Sequence, residues 1–237
     1  MAIPEQPKRP PARLASRPLH FIWICDCSGS MTENGKIQAL NTAIRESIPH
    51  MRGVASDNPN AEVLVRAIQF SDGAQWHLTQ PVKIDQFEWE DLTAGGLTEM
   101  GKALQLVAEQ LKMPPMPDRA LPPVLVLLSD GVPTDDYQKG IDALMAQPWG
   151  QKSVRIAIAI GQDAEHGPLQ NFIGDPERQP LQANNPEALV RLIKWASTVP
   201  VQAASSPTAQ TGNNTPVVPA EFVVPDVAGD VNADDVW

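Results

Sequence analysis

Two apolar runs stand out along the chain, Leu19–Cys25 and Val124–Ser129, each nearly continuous rather than alternating. Runs of that kind fit strands buried on both faces, as in the centre of a parallel sheet covered by helices. Val and Ile enrich two more segments, Ala61–Phe70 and Val154–Ile160, which predict further strands, the second closed by Gly161. Between the strands the apolar period becomes helical. Ile37, Leu40, Ile44 and Ile48 share one helical face, and Pro49 is expected to end that helix. Met100, Leu104, Val107 and Leu111 form the stripe of a helix that opens at Thr98, and Pro114, Pro115 and Pro117 break the chain after it. A third helix is predicted over Asp135–Ala146 with Thr134 as its N-cap. A fourth starts at Asn185-Pro186-Glu187, where Asn caps and Pro takes the first helical position, and runs to about Ser197 with Leu189, Leu192, Ile193 and Ala196 inward. Ser71-Asp72-Gly73-Ala74 reads as a tight hairpin turn, which makes Gln75–Val82 a short antiparallel edge strand.

Strands alternating with helices imply right-handed crossovers. The fold class expected is α/β, a doubly wound, mainly parallel sheet with one antiparallel edge strand. Ligands of such sheets bind beyond the carboxyl ends of the strands, where strand order reverses. Asp26 and Asp130 both stand at carboxyl ends of the long apolar strands. Asp26 opens the run Asp26-Cys27-Ser28-Gly29-Ser30, and Thr98, expected on a surface loop, follows Gly95-Gly96 and Leu97. Loops leaving one sheet edge can gather the oxygens of Asp26, Ser28, Ser30, Thr98 and Asp130 around one hard cation. Hydroxyls and carboxylates suit Mg²⁺ or Mn²⁺, with Ca²⁺ a further candidate, better than they suit Zn²⁺. Only Asp26 and Asp130 bring charge, so a divalent ion held there keeps an open position with attraction for an outside carboxylate. That chemistry belongs to a metal-dependent binding site rather than to a buried structural ion. Ser28 and Ser30 could serve only as turn or capping residues, but Thr98 and Asp130 at the required topological positions favour the metal reading.

These residues carry a resemblance. Asp26-x-Ser28-Gly29-Ser30-Met31, Gly96-x-Thr98 and Ser129-Asp130-Gly131 resemble the metal-ion-dependent adhesion site of the von Willebrand factor A domain family, over about residues 18–198. Within the family the wording is similar to bacterial tellurite-resistance-associated, TerY-like proteins, in Ile24–Met31, Leu127–Asp136, Tyr137-Gln138-Lys139-Gly140 and Lys194-Trp195-Ala196-Ser197. The resemblance implies a non-catalytic module that binds a protein partner through an Asp or Glu on the metal. It implies a signalling or stress-response role beside a Ser/Thr protein kinase and a metal-dependent protein phosphatase. An alternative within the family is a substrate-recruiting subunit of an AAA-type ATPase or a metal chelatase.

The 237 residues suffice for one α/β domain with a tail. A net charge of −10 argues against nucleic acid, and no stretch has the apolar length of a transmembrane helix. Residues 1–17, with Lys8, Arg9, Arg13 and Arg17 among prolines, form an extension without a signal-peptide core, so a cytoplasmic location is expected. Cys25 and Cys27 flank Asp26 too closely for an unstrained disulfide, and read as small reduced residues on one side of a strand. Residues 199–237 are rich in Pro, Ala, Val, Ser, Thr and Asp and read as a flexible acidic tail, with no basic residue beyond Lys194. Its Ser205, Ser206, Thr208, Thr211 and Thr215 are expected to be open to a kinase. Asp234, Asp235 and Trp237 suggest a docking end, since an aromatic in such a tail has no core to serve.

Enzyme classes fare poorly. Asp26 at a strand end resembles the nucleophile of haloacid-dehalogenase-like phosphatases, but those need a second acid where Ser28 stands. A phosphatase-type enzyme is therefore the least favoured alternative. Gly-x-Gly-x-x-Gly, Gly-Lys-Ser/Thr and Gly-x-Ser-x-Gly are all missing around these residues. His20, His50, His77 and His166 are scattered and read as structural or solvated. Asp135 and Asp136 are read as acids complementing the dipole of the helix they begin. Asp72 is assigned to the hairpin, and Trp76, Trp89 and Trp149 to core or half-buried packing.

Overall fold

Strand β1 (Arg17–Asp26) is the axis of the molecule. The computed structural model describes residues 16–58, 60–205 and 225. In it β1 pairs in parallel with β2 (Ala61–Ser71) on one side and β5 (Val124–Ser129) on the other. Beyond β5 the sheet continues in parallel through β6 (Val154–Ile160) and β7 (Leu181–Ala183). At the other edge β3 (Gly73–Trp76) and β4 (Val82–Lys83) both pair antiparallel with β2. The strand order is β3-β2-β1-β5-β6-β7, with β4 also on β2. This is the expected α/β doubly wound sheet. The edge strand foreseen as one piece is two short ones, because Ser71 pairs directly with Gly73 around Asp72 and the chain then leaves the sheet before β4.

Alternation along β1 explains why its apolar run is nearly unbroken. Phe21, Trp23 and Cys25 face a core shared with α1 (Lys36–Asp57) and α6 (Pro186–Ser205). Ile22 and Ile24 face the opposite core, shared with α2 (Met100–Gln110), α3 (Tyr137–Met145) and α5 (His166–Ile173). Each neighbour along the strand thus meets a helical layer, so a polar residue on either face would be buried without a partner. Cys25 and Cys27 lie in the same core and are unbonded, as the spacing implied. Trp89 and Trp149 are buried and Trp76 is half-buried beneath the Arg66 guanidinium.

Helix boundaries differ from expectation where burial overrides local signals. α1 does not stop at Pro49 but continues to Asp57. An interior proline costs about 3 kcal/mol, yet Met51 beyond it is fully buried and Val54 and Ala55 pack on the core. Burying one such methionine returns roughly 1.5–3 kcal/mol. Likewise α6 passes Ser197 and runs through Pro200 to Ser205, burying Val201 and Ala204. Ser205 is consequently not open to a kinase: it is buried, its hydroxyl bonded to the Val201 carbonyl and in contact with the Asn58 amide. Ser206, Thr208, Thr211 and Thr215, and the candidate docking residues Asp234, Asp235 and Trp237, lie outside the described residues. The start of α6 is as foreseen, with Ala188 N donating to Asn185 Oδ1 at 2.7 Å. α3 starts later than expected, at Tyr137, and its cap is Asp136, which accepts from Lys139 N at 3.2 Å; Thr134 is engaged elsewhere. The short α4 (Pro148–Gln151), α5 and β7 carry too little periodicity to announce themselves in the sequence.

Candidate metal centre

β1 has β2 on one side and β5 on the other, so the strand order reverses between β1 and β5. Asp26 ends β1 and Asp130 follows β5, which places both carboxylates at that crevice. Ser28 and Ser30 sit in the turn after β1, which continues as a 3-10 segment from Gly29 to Gly35. Thr98 arrives on the long loop before α2. That loop is fastened by backbone bonds from Gly29 N to Gly96 O (2.9 Å), Gly95 N to Cys27 O (2.8 Å) and Glu99 N to Ser71 O (3.1 Å). Asp72 adds a side-chain brace by accepting from Leu97 N at 2.9 Å. A Cβ on Gly96, whose φ is +88°, would lie 2.6 Å from Asp72 Oδ2, so the brace requires glycine there.

Thr134, expected to cap α3, instead clasps Thr98. Thr98 N donates to Thr134 Oγ1 (3.1 Å) and Thr134 N donates back to Thr98 O (2.9 Å). Asp135 does meet a helix dipole, but that of α2. Its two oxygens accept from Gly101 N (2.9 Å) and Lys102 N (2.8 Å), while Glu99 at the N-cap makes no side-chain cap bond. The loop after β5 therefore caps the helix that carries Thr98.

Within the crevice every carboxylate oxygen has a protein partner. Ser28 N donates to Asp26 Oδ1 at 2.8 Å, and the Ser129 hydroxyl donates to Asp26 Oδ2. The Ser30 hydroxyl donates to Asp130 Oδ1 at 2.7 Å, and Lys36 Nζ to Asp130 Oδ2 at 2.8 Å. The Ser28 and Ser30 hydroxyls lie 3.0 Å apart. A Cβ added to Gly131 would sit 3.4 Å from Thr98 Oγ1 and 3.7 Å from Ser30 Oγ, so these two hydroxyls converge over that glycine. The five residues singled out from sequence are thus brought together. Thr98 is more enclosed than a surface-loop placement suggested, at 7% exposure.

Burial lifts the Asp26 carboxyl to about 6; the bonds from Ser129 and Ser28 oppose the rise and the nearby Asp130 charge adds to it. Burial also pushes the Cys27 thiol to about 12, helped by the Asp26 charge, and raises the Cys25 thiol well above its ordinary value, with the neighbouring Cys27 and Asp26 adding to the rise. Both thiols therefore stay protonated and face the core, which removes them as soft ligands. Among the described residues no group of three His, Cys, Asp or Glu side chains could hold a metal. The donors present are hydroxyls backed by two carboxylates, and these fit a hard divalent cation. Around the mouth, Leu97 and Val132 are 54% and 55% exposed, two of the three large hydrophobics so exposed among the described residues.

Sequence reasoning missed Lys36. Burial opposes its charge, but the bond and charge of Asp130, with Asp163, outweigh that and raise its pKa. The signal was available: a lysine in the first turn of a helix stands at the wrong end of the dipole, so some anion had to explain it. Ser129 was read as strand, and Asp135 as an acid complementing the dipole of α3, whereas it meets that of α2. The four histidines remain outside the crevice chemistry; His20 is buried in the sheet and His77 and His166 bond to Glu90 O and Gln182 Oε1.

The sequence profile of the von Willebrand factor type A domain matches residues 22–194, most of the chain. The chain belongs to the von Willebrand factor type A domain family. Solved structures of the same fold include the ArnB paralog VWA2 from Sulfolobus acidocaldarius, 21% identical with a TM-score of 0.56, covering 75% of this chain and 44% of its own. A von Willebrand factor type A protein from Catenulispora acidiphila is 18% identical at a TM-score of 0.60, over 79% of this chain and 43% of its own. Proximal thread matrix protein 1 of the mussel byssus, with a zinc-occupied metal-ion-dependent adhesion site, is 16% identical at a TM-score of 0.54, over 79% of this chain and 46% of its own. The chain thus spans less than half the length of these relatives. No curated protein matches its sequence. Von Willebrand factor type A domains are protein-interaction modules, and a relative binds metal at this motif. Among the described residues of this domain no helix is long and apolar enough to cross a membrane.

Proposed function

We propose that this von Willebrand factor type A domain is a non-catalytic, metal-dependent protein-binding module. Its Ser28, Ser30 and Thr98 hydroxyls would hold Mg²⁺ or Mn²⁺, with Asp26 and Asp130 acting directly or through water. An Asp or Glu of the partner completes the ion's coordination. The observation that carries this reading is the division of labour in the crevice. Both oxygens of each carboxylate are already held by the protein, while the Ser28 and Ser30 hydroxyls lie 3.0 Å apart and Ser30 and Thr98 converge over Gly131. Such an ion is not fully neutralised by its ligands and attracts an external anion. Exposed Leu97 and Val132 beside it supply apolar contact area for a partner.

Calorimetry tests the reading. Mg²⁺ or Mn²⁺ should bind the wild-type chain, and Thr98→Ala and Asp26→Ala should abolish or strongly weaken that binding while the fold persists. Unchanged affinity in both variants would sink it.

The finer assignment follows the motif wording. The similarity of Ile24–Met31 and Leu127–Asp136 to TerY-like proteins supports a bacterial signalling or stress-response role beside a Ser/Thr kinase and a metal-dependent phosphatase. Two unbonded, buried cysteines suit a reducing cytoplasm. The interaction unit is taken as residues 18–198, with 1–17 and 199–237 as appendages and Asp234, Asp235 and Trp237 as an auxiliary docking end. Affinity purification with and without Mg²⁺ tests the partners. Recovery of an ATPase in place of kinase and phosphatase would replace this assignment.

A further inference from the structure

Lys36 holds one oxygen of Asp130, and it is among the largest fully buried side chains of the described residues. Its side chain is 2% exposed and its ammonium reaches Asp130 Oδ2 at 2.8 Å and Asp163 Oδ1 at 3.3 Å. It opens α1, where a positive charge opposes the helix dipole and no acidic residue occupies the first turn. The helix therefore gains nothing from it. The space it fills is made for it: a Cβ on Gly161, whose φ is +94°, would lie 3.0 Å from both Lys36 Cε and Nζ and 2.8 Å from Asp163 Oδ1. A lysine buried at such cost, on a carboxylate that serves the crevice, calls for a function in the crevice.

Charge supplies one. Asp26 and Asp130, whose oxygens are already held by protein donors, still offset part of a divalent ion's charge and so weaken its pull on a partner carboxylate. Lys36 restores one positive charge behind Asp130, shielded from solvent. Asp163, 71% exposed, offsets it only weakly because its own field is screened by water. The ammonium repels the incoming cation and attracts the anion that follows.

We propose that Lys36 is a built-in counter-cation of the metal centre, setting a trade in which the domain binds its metal more weakly and its anionic partner more tightly. This rests on the metal-binding reading above and deepens it: Lys36 tunes the site for a carboxylate ligand without touching it.

The full chain is titrated with Mn²⁺ at low ionic strength, following water-proton relaxation. The loaded protein is then titrated with acetate, which lowers the relaxation as it displaces water from the ion. Lys36→Met should tighten Mn²⁺ at least tenfold and weaken acetate at least fivefold. Asp163→Asn changes a mostly exposed side chain, so it does not depend on the core, and it should shift both constants about two- to threefold the opposite way. Opposite movement of the two constants is the signature that a merely structural lysine would not give. If Lys36→Met loses both affinities together with melting temperature, or if both variants leave the constants unchanged, the proposal is overturned. If Lys36→Met does not fold, Asp163→Asn decides alone: no shift refutes. A wild-type chain that binds no Mn²⁺ would instead overturn the metal reading beneath it, a result separable from both.

Discussion

Asp135→Ala tests whether the loop after β5 really organises the loop that presents Thr98. The Asp135 carboxylate accepts from Gly101 N at 2.9 Å and Lys102 N at 2.8 Å, doing for α2 what its own N-cap residue, Glu99, does not. Loss of a helix cap costs about 0.5–2 kcal/mol, and loss of the anion from the dipole about 0.3–1 kcal/mol. The carboxylate is partly exposed, so solvent recovers some of the bonding and the lower halves of these ranges apply. The net expectation is about 1–2 kcal/mol, which for a domain of this size lowers the melting temperature by roughly 2–8 °C. Asp135→Asn, with one acceptor oxygen and no charge, should fall between. The distinguishing part is the metal. Thr98 lies three residues before Gly101, so fraying that turn loosens its hydroxyl, and Mn²⁺ affinity should fall several-fold in Asp135→Ala although Asp135 is no ligand. Thermal unfolding with and without Mn²⁺, together with calorimetry, gives both numbers. A variant whose stability stays within 0.5 kcal/mol of wild type, the scatter of ordinary surface changes, would refute the capping argument. A destabilised variant with unchanged Mn²⁺ affinity would refute the link from cap to site.

Three further outcomes are expected. Gly140→Ala places a Cβ 2.6 Å from Gly101 O, so α2 and α3 must separate; a loss of about 1–3 kcal/mol is expected in chemical denaturation, and a neutral result would show that these helices pack less closely. Burial, with the Arg66 charge, holds the His20 imidazole down at about 4, from 6.5. The unfolded chain then binds a proton that the native one does not, so stability is fully present above pH 6.5 and declines toward pH 4, by up to about 3 kcal/mol. His20→Leu should flatten that slope, and an unchanged slope would assign it to other groups. Leu97→Ala with Val132→Ala should leave Mn²⁺ affinity intact and weaken partner capture in affinity purification; undiminished capture would place the interface elsewhere.

How much of this was legible in the sequence follows from where each signal resides. The strands β1 and β5 and the stripe on α2 were readable because burial on both sides, or on one helical face, writes itself as hydrophobic period. The crevice was readable because strand ends and carboxylates coincide at Asp26 and Asp130. Pro49 misled because a proline's local cost is fixed whereas the gain from continuing depends on tertiary packing, here of Met51, and α6 outran Ser197 for the same reason, burying Val201 and Ala204. Thr134 and Asp135 misled in another way. Each was assigned to the helix next to it in sequence, but their partners, Thr98 N and the Gly101 and Lys102 amides, come from a segment more than thirty residues earlier. Capping signals name a chemistry, not an address. Lys36 could have been flagged as a charge of the wrong sign for its helix end, but nothing local identifies Asp130 as its partner.

The bonds that hold the carboxylates also bear on how folding and binding are joined. Asp26 is fully buried and its carboxyl is lifted to about 6, so keeping it charged at neutral pH works against the folded state. The donors that oppose this are Ser28 N and the Ser129 hydroxyl, both on elements that frame the crevice. A divalent ion at the three hydroxyls would add its charge to the same account, and it can do so only when the Thr98 loop is fastened to the turn after β1. Metal binding should therefore stabilise the native domain by mass action, about 2.7 kcal/mol at one hundred times Kd. The same fastening bonds, Gly29 N to Gly96 O and Gly95 N to Cys27 O, then connect folding of the loop to ion capture. The crevice is preorganised by backbone and carboxylate bonds within the protein; with the hydroxyls supplying adjustable coordination in the proposed loaded state, the free energy of a partner's carboxylate would go into binding and not into assembling the site.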